Sequence, residues 1–238
     1  MTIDKSTIFK EEDKEMRLII IGCEYTGKST LAGEIRKWLI QTMGSCNTSF
    51  HDHFMLPYGE GALETPELVA QMMELDPWMQ ECYSRYMTHY HLGKGFYSEN
   101  DHCVVDWYYA DAVYADLYYK FGRTGEYAER RAMARYYDKD VMEVAPDTTL
   151  VLLKASPEVI RQRVRAEQRP LSVLREQDIE RVLQRYQEEF DNSLIHREMT
   201  LDTTNASPAE TLAEFVRLVT PGLSQADRLR LVAYKALQ

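Results

Sequence analysis

MRLIII, residues 16–21, is an unbroken apolar run that stops at Gly22 and hands over to the octet GCEYTGKS. After the octet, Leu31, Ile35, Trp38 and Leu39 return with helical spacing. A short continuous run, β-branched at its end, reads as a strand buried on both faces, because a half-buried strand would alternate. A strand, a glycine-bearing turn and an amphipathic helix in that order leave few folds open. The octet fits the pattern Gly-x-x-x-x-Gly-Lys-Ser at Gly22, Gly27, Lys28 and Ser29. Its glycines permit backbone conformations that turn several N–H groups inward, and the helix N-terminus that follows favours an anion. Lys28 is long enough to reach β- and γ-phosphates, and the Ser29 hydroxyl suits Mg2+. With average residue usage such an octet arises by chance in about 1% of chains this long, and its placement between strand and helix makes coincidence rarer still.

Four further strand candidates follow: TSFH (48–51), CVVD (103–106), TTLVLLK (148–154) and MTLDT (199–203). Helical periodicity fills the intervals. Thr65-Pro66 and Ser156-Pro157 read as N-caps with proline at the first helical position, and Ser207-Pro208-Ala209-Glu210 adds a capping-box glutamate. The long interval 66–94 is expected to break near Asp76-Pro77. Strands alternating with helices predict an α/β protein, a three-layer α/β/α P-loop fold with a five-stranded parallel sheet, a helical lid and an extra C-terminal helix. The expected organisation is a flexible leader over 1–15, one domain over 16–222 with its lid at about 161–176, and a helical appendage over 223–238.

Acids outnumber bases, 38 to 28, for a net charge of −10. Such a surface repels a phosphate backbone and argues against general nucleic-acid binding. No apolar run approaches bilayer length, and the first residues carry no secretory signal. The four cysteines, Cys23, Cys46, Cys82 and Cys103, have no metal or redox spacing, which predicts a reduced cytoplasmic protein.

The phosphate-loop pattern alone does not choose between a switch GTPase, a motor ATPase and a small kinase. The chain has no Asn-Lys-x-Asp for guanine, and no strand ends in paired acids. It does carry the arginine-dense segment RQRVRAEQRPLSVLR late in the chain, where a small kinase carries its lid. Arg161, Arg165 and Arg169 recur every four residues and would share a helical face, with Arg163 pointing elsewhere.

Taken together, these motifs resemble the thymidylate-kinase-like and deoxynucleoside-kinase-like branch of P-loop kinases. GCEYTGKST looks like the thymidylate kinase loop, which carries an acid where Glu24 stands. DTTLVLLKASPEVIRQRVR is similar to that family's fourth strand, helix start and lid entry, and DIERVLQRYQEEF to the helix after the lid. LDTTNASPAETLAEF is similar to its last strand, base-side loop and last helix. The resemblance implies ATP and Mg2+, a nucleoside or nucleotide acceptor, and possible homodimerisation through helices such as 66–94 and 108–121. It implies that Gly22, Glu24, Tyr25, Thr26, Gly27, Lys28, Ser29 and Thr30 surround the phosphates. Arg163 and Arg165 would be catalytic lid arginines, and Ser29 and Asp106 would serve the metal.

The acceptor side departs from that pattern. Thymidylate kinases follow the third-strand acid with arginine, where this chain has Trp107, and FHDHFMLP replaces the usual Glu-Pro segment. Ligands of open parallel sheets sit beyond the carboxyl ends of the strands, so the expected acceptor residues are Asp52, His53, Asp106, Trp107 and Tyr108, and the resemblance adds Glu24, which points from the loop toward the acceptor in that family. Asp52 is the leading choice for the base that orients a hydroxyl and takes its proton, because the resembled deoxynucleoside kinases place an acid near there, with His51 and His53 beside it. The other tyrosines, Tyr83, Tyr86 and Tyr90 among them, read as helix packing. A kinase for a different small molecule or a polymer-linked hydroxyl, and a nucleotide-binding regulatory protein, stay open.

Overall fold

A computed structural model describes residues 16–44, 48–53, 65–90, 92, 101–167, 169 and 172–236. The leader over 1–15 and Cys46 lie outside the described residues. Among these are five strands: β1 (Arg17–Ile21), β2 (Thr48–His53), β3 (Asp101–Asp106), β4 (Thr149–Lys154) and β5 (Arg197–Asp202). They form one parallel sheet in the order β2-β3-β1-β4-β5.

Alternation along the central strands divides the core in two. Ile19 and Ile21 of β1, Val104 of β3, and Leu150 and Leu152 of β4 enter one apolar cluster. Leu18 and Ile20, Cys103 and Val105, and Val151 and Leu153 enter the other. The strands therefore read as continuous apolar runs because successive side chains serve opposite buried faces.

On one face lie α1 (Lys28–Met43), α8 (Pro208–Val219) and α9 (Gln225–Ala236). On the other lie α4 (Tyr108–Tyr114), α5 (Arg130–Val144), α6 (Pro157–Ala166) and α7 (Ile179–Asp191). The expected 66–94 helix is two helices, α2 (Pro66–Glu74) and α3 (Pro77–Tyr90), split at Asp76-Pro77. All three Ser/Thr-Pro starts hold: Thr65, Ser156 and Ser207 each accept the backbone N–H three residues on.

Three expectations change. The helix expected over 108–121 turns π-helical at Ala115–Tyr119 before a left-handed Lys120. The arginine-rich helix ends at Ala166, so Arg169 leaves the face it was expected to share with Arg161 and Arg165; Pro170 accounts for this, since proline disfavours helix at the residue before it. The C-terminal helix is packed rather than appended. Leu223, just before α9, is buried in the cluster that α1 covers, Leu231 of α9 packs against that cluster, and Arg230 of α9 makes two bonds to the buried Asp101 carboxylate at 3.0 and 2.9 Å.

The loops leaving β1 and β3, neighbours in the sheet, run to helices on opposite faces. That switch point opens a crevice above the carboxyl ends of the strands, where open α/β sheets bind ligands.

Candidate active site

The loop between β1 and α1 is built from left-handed backbone. Gly22, Tyr25 and Gly27 have φ of 152°, 66° and 96°. A Cβ on Gly22 would lie 2.4 Å from the Leu153 carbonyl oxygen, so the loop passes β4 closer than any side chain allows. Thr26 braces the turn by donating its hydroxyl and its N–H to the Cys23 carbonyl at 2.7 and 3.3 Å. Cys23 is fully buried, and burial pushes its thiol well above the usual range. It is therefore an inert part of the loop.

Lys28 begins α1 at the crevice. Its ammonium donates to the Gly22 and Cys23 carbonyls at 2.6 and 3.1 Å and pairs with Asp106 at 3.0 Å. Both side chains are more than nine-tenths buried. Asp106 also accepts the Tyr186 hydroxyl at 3.1 Å. This geometry depends on an unusual turn. Asp106 and Trp107 both have positive φ, 62° and 52°, and the Trp107 N–H donates to the Val105 carbonyl at 2.9 Å. Bulky residues rarely take such values, and each costs on the order of 1–3 kcal/mol. The turn ends β3 abruptly at the residue whose carboxylate meets Lys28. Ser29 and Thr30 are exposed in the first turn of α1.

Beside the loop a cleft is lined by Tyr25, Thr26, Gly27, Thr30, Arg163, Arg169, Thr203, Ala206 and Pro208. Arg163 donates to the Tyr25 carbonyl at 2.9 Å and to the Thr203 carbonyl at 2.7 Å, and the Thr203 hydroxyl donates to the Thr26 carbonyl at 2.9 Å. Arg169 lies over the Tyr25 ring, 4.7 Å from its centroid. Arg161 and Arg165 face away and pair with Glu180 and Glu176. The arginines expected in a lid thus divide: Arg163 and Arg169 reach the loop, and Arg165 meets a surface acid.

The acceptor-side expectations divide as well. Asp52 and His53 stand opposite Val105 and Asp106 in the register, at the carboxyl end of β2 beside Asp106. Their side chains, and that of His51, lie outside the described residues. Trp107 and Tyr108 do not face the crevice. Trp107 is buried and donates its indole N–H to the Thr88 carbonyl at 3.3 Å, and the Tyr108 hydroxyl donates to Asp138 at 2.7 Å. The strained turn swings both rings into the core, where the apolar run that follows β3 also goes. Glu24 is buried and accepts the N–H groups of Val173 and Leu174 at 3.2 and 2.8 Å. Burial holds its carboxyl above the usual range despite these bonds.

Two site residues escaped the sequence reading. Thr203 closed the strand candidate MTLDT with nothing to mark it beside Thr204, and the strand in fact ends at Asp202. Tyr186 shares the apolar stripe of α7 with Val182 and Phe190 and reads as core by spacing. Only the sheet order brings its hydroxyl to Asp106.

No protein-family model matches the chain, and a search of curated proteins finds no match. Solved structures do resemble it. Deoxyadenosine kinase from M. mycoides with bound dATP superposes with a TM-score of 0.58 at 15% identity, covering 86% of this chain and 100% of that one. Thymidylate kinase from Ehrlichia chaffeensis gives 0.52 at 11% identity, covering 87% and 99%. The YorR protein from Bacillus subtilis, in complex with phosphorylated GDP, gives 0.50 at 20% identity, covering 85% and 95%. The chain has the fold of P-loop nucleoside and nucleotide kinases.

Proposed function

We propose that the protein is an ATP- and Mg2+-dependent phosphotransferase that moves the γ-phosphoryl group onto a nucleoside or nucleotide acceptor. The observation that carries this reading is Lys28. A buried ammonium sits at the head of a helix, at the switch point of the sheet, among carbonyls of a loop whose backbone no ordinary residue at Gly22 could follow. An ammonium has three donors; exchanging the Gly22 and Cys23 carbonyls for phosphate oxygens keeps it satisfied while adding charge neutralisation.

The remaining roles follow from position. Main-chain N–H groups from Gly22 to Thr30 cradle the phosphates, helped by the N-terminus of α1. The planar Arg163 guanidinium and Pro208 form walls of a cleft that suits a flat base. Bound Mg2+ would supply charge neutralisation on the β- and γ-phosphate oxygens. Ser29 and Asp106 fit this ion, because their donors are oxygens and Mg2+ retains several waters instead of needing a full protein cage. Asp52 orients the acceptor hydroxyl and takes its proton. A cytoplasmic setting agrees with the free thiols of Cys23, Cys82 and Cys103, and no described helix is long and apolar enough to cross a membrane.

A second reading, a kinase for a small alcohol that is not a nucleotide, is favoured by Trp107. Its ring is packed into the core at the position where thymidylate kinases place the arginine that grips the acceptor phosphate.

Labelled ATP offered with a panel of nucleosides, nucleotides and other alcohols tests both readings. Transfer to a nucleoside or nucleotide is expected; inert nucleosides and nucleotides beside a reactive alcohol would select the second reading. Lys28→Ala is expected to abolish turnover, and unchanged turnover would overturn both. Asp52→Asn is expected to leave ATP affinity nearly intact and to cut transfer by about 100-fold or more. A variant as fast as the parent would remove Asp52 from the mechanism.

A further inference from the structure

We propose that Glu24 is a positioning residue that fastens residues 172–178 onto the phosphate loop. The effect on phosphoryl transfer rests on the function proposed above; the fastening itself does not.

The segment 172–178 runs from the loop side of the crevice to the π-helical turn at Ala115–Tyr119. At its start the Glu24 carboxylate accepts the N–H groups of both Val173 and Leu174. The Leu174 side chain is buried in the core beneath. At its far end the Arg175 guanidinium lies 5.0 Å from the Tyr118 ring centroid, and the Tyr118 hydroxyl donates to Asp178 at 3.1 Å. Upstream, the Arg169 N–H meets the Tyr25 hydroxyl at 3.4 Å while its guanidinium covers the same ring. Two consecutive loop residues, Glu24 and Tyr25, therefore hold the chain at 169 and at 173–174.

A buried carboxylate is costly unless hydrogen bonds replace its water. The donors that replace it here are on this segment, so Glu24 is engaged by main-chain amides instead of an acceptor. In the opened state Glu24 would regain water and the two amides would lose their partner. Held against the loop, the segment would limit loss of the phosphoryl group to water. Glu24 thus acts through the segment it holds.

Amide hydrogen exchange of the ligand-free protein, read residue by residue by NMR, tests the fastening without turnover. Val173 and Leu174 are expected to be protected in the parent protein. Exchange at the rate of open chain would overturn the proposal before any variant is made. In Glu24→Ala both amides are expected to exchange at least about 10-fold faster; unchanged exchange in the folded variant would also overturn it. Glu24→Gln keeps an oxygen that accepts both bonds and is expected to retain most of the protection. In turnover, Glu24→Ala should raise acceptor-independent ATP hydrolysis and lower kcat for transfer with little change in acceptor KM, and Glu24→Gln should lie near the parent. If both variants instead raise acceptor KM equally while the amides stay protected, Glu24 touches the acceptor and the proposal falls. If the amides loosen as expected but no protein transfers phosphate, the fastening stands and the kinase reading fails.

Discussion

Asp106 and Trp107 make one joint, and it does two jobs. Consecutive positive φ values turn the chain so sharply that the carboxylate faces Lys28 while the indole ring enters the core. The strain is offset by burial of Trp107, Tyr108 and Tyr109, each with its polar tip hydrogen-bonded. The same economy of space operates at Gly22, where a methyl group would collide with the Leu153 carbonyl at 2.4 Å and meet the Thr26 hydroxyl at 3.1 Å. Backbone cannot yield as a flexible side chain can. Gly22→Ala is therefore expected to destabilise the fold by about 2 kcal/mol or more and to abolish nucleotide binding. Thermal unfolding and titration with a fluorescent ATP analogue check the two effects separately, and normal binding would show that the loop can shift.

The helices around the site start where local chemistry tells them to. At α8, Ser207 accepts the Glu210 N–H at 3.3 Å while Glu210 accepts the Ser207 N–H at 2.8 Å, closing a reciprocal cap. Pro208 at the first helical position lines the cleft beside the phosphate loop, so the cap also positions a wall of that cleft. Ser207→Ala is expected to cost about 1 kcal/mol, measured by denaturant unfolding, with a modest loss of ATP affinity. The Ser207 N–H and hydroxyl hold the Glu210 carboxyl below its ordinary range. Its contribution is therefore fully present above the unfolded value and fades as pH falls through the folded one. The α6–α7 pair shows the opposite case. Arg161–Glu180 and Arg165–Glu176 are exposed ion pairs and contribute little to stability; residues 172–178 also bond to Glu24, bury Leu174 and meet Tyr118.

The last helix is tied to the central layer of the molecule as a whole. Asp101 starts β3, is buried, and accepts the Met16 N–H as well as two bonds from Arg230. One carboxylate thereby joins the start of β3, the chain entering β1, and α9. Arg230→Leu would leave that carboxylate without its counter-charge and is expected to destabilise the protein by about 2–4 kcal/mol. A matching Asp101→Leu/Arg230→Leu double variant should recover part of the loss. Equal stability of the single variant and the parent would show that α9 is an appendage after all.

Features governed by neighbouring residues were legible in the chain: the apolar strands, the phosphate loop, the Ser/Thr-Pro helix starts, the break at Asp76-Pro77 and the α/β class. Backbone sterics, capping and alternating burial act over a few residues, and their signatures lie side by side in the text. What the sequence could not specify was which distant groups meet. Glu24 meets amides about 150 residues away, Arg163 meets the Tyr25 carbonyl across a separation of 138, and Tyr186 meets Asp106 across 80. Those meetings follow from the strand order and from the two faces to which the loops after β1 and β3 turn. The tertiary structure therefore decided that Trp107 and Tyr108 belong to the core, that Arg165 faces a surface acid, and that Glu24 meets the amides of Val173 and Leu174, because direction and distance across a sheet are set by packing of the whole and not by spacing along the chain.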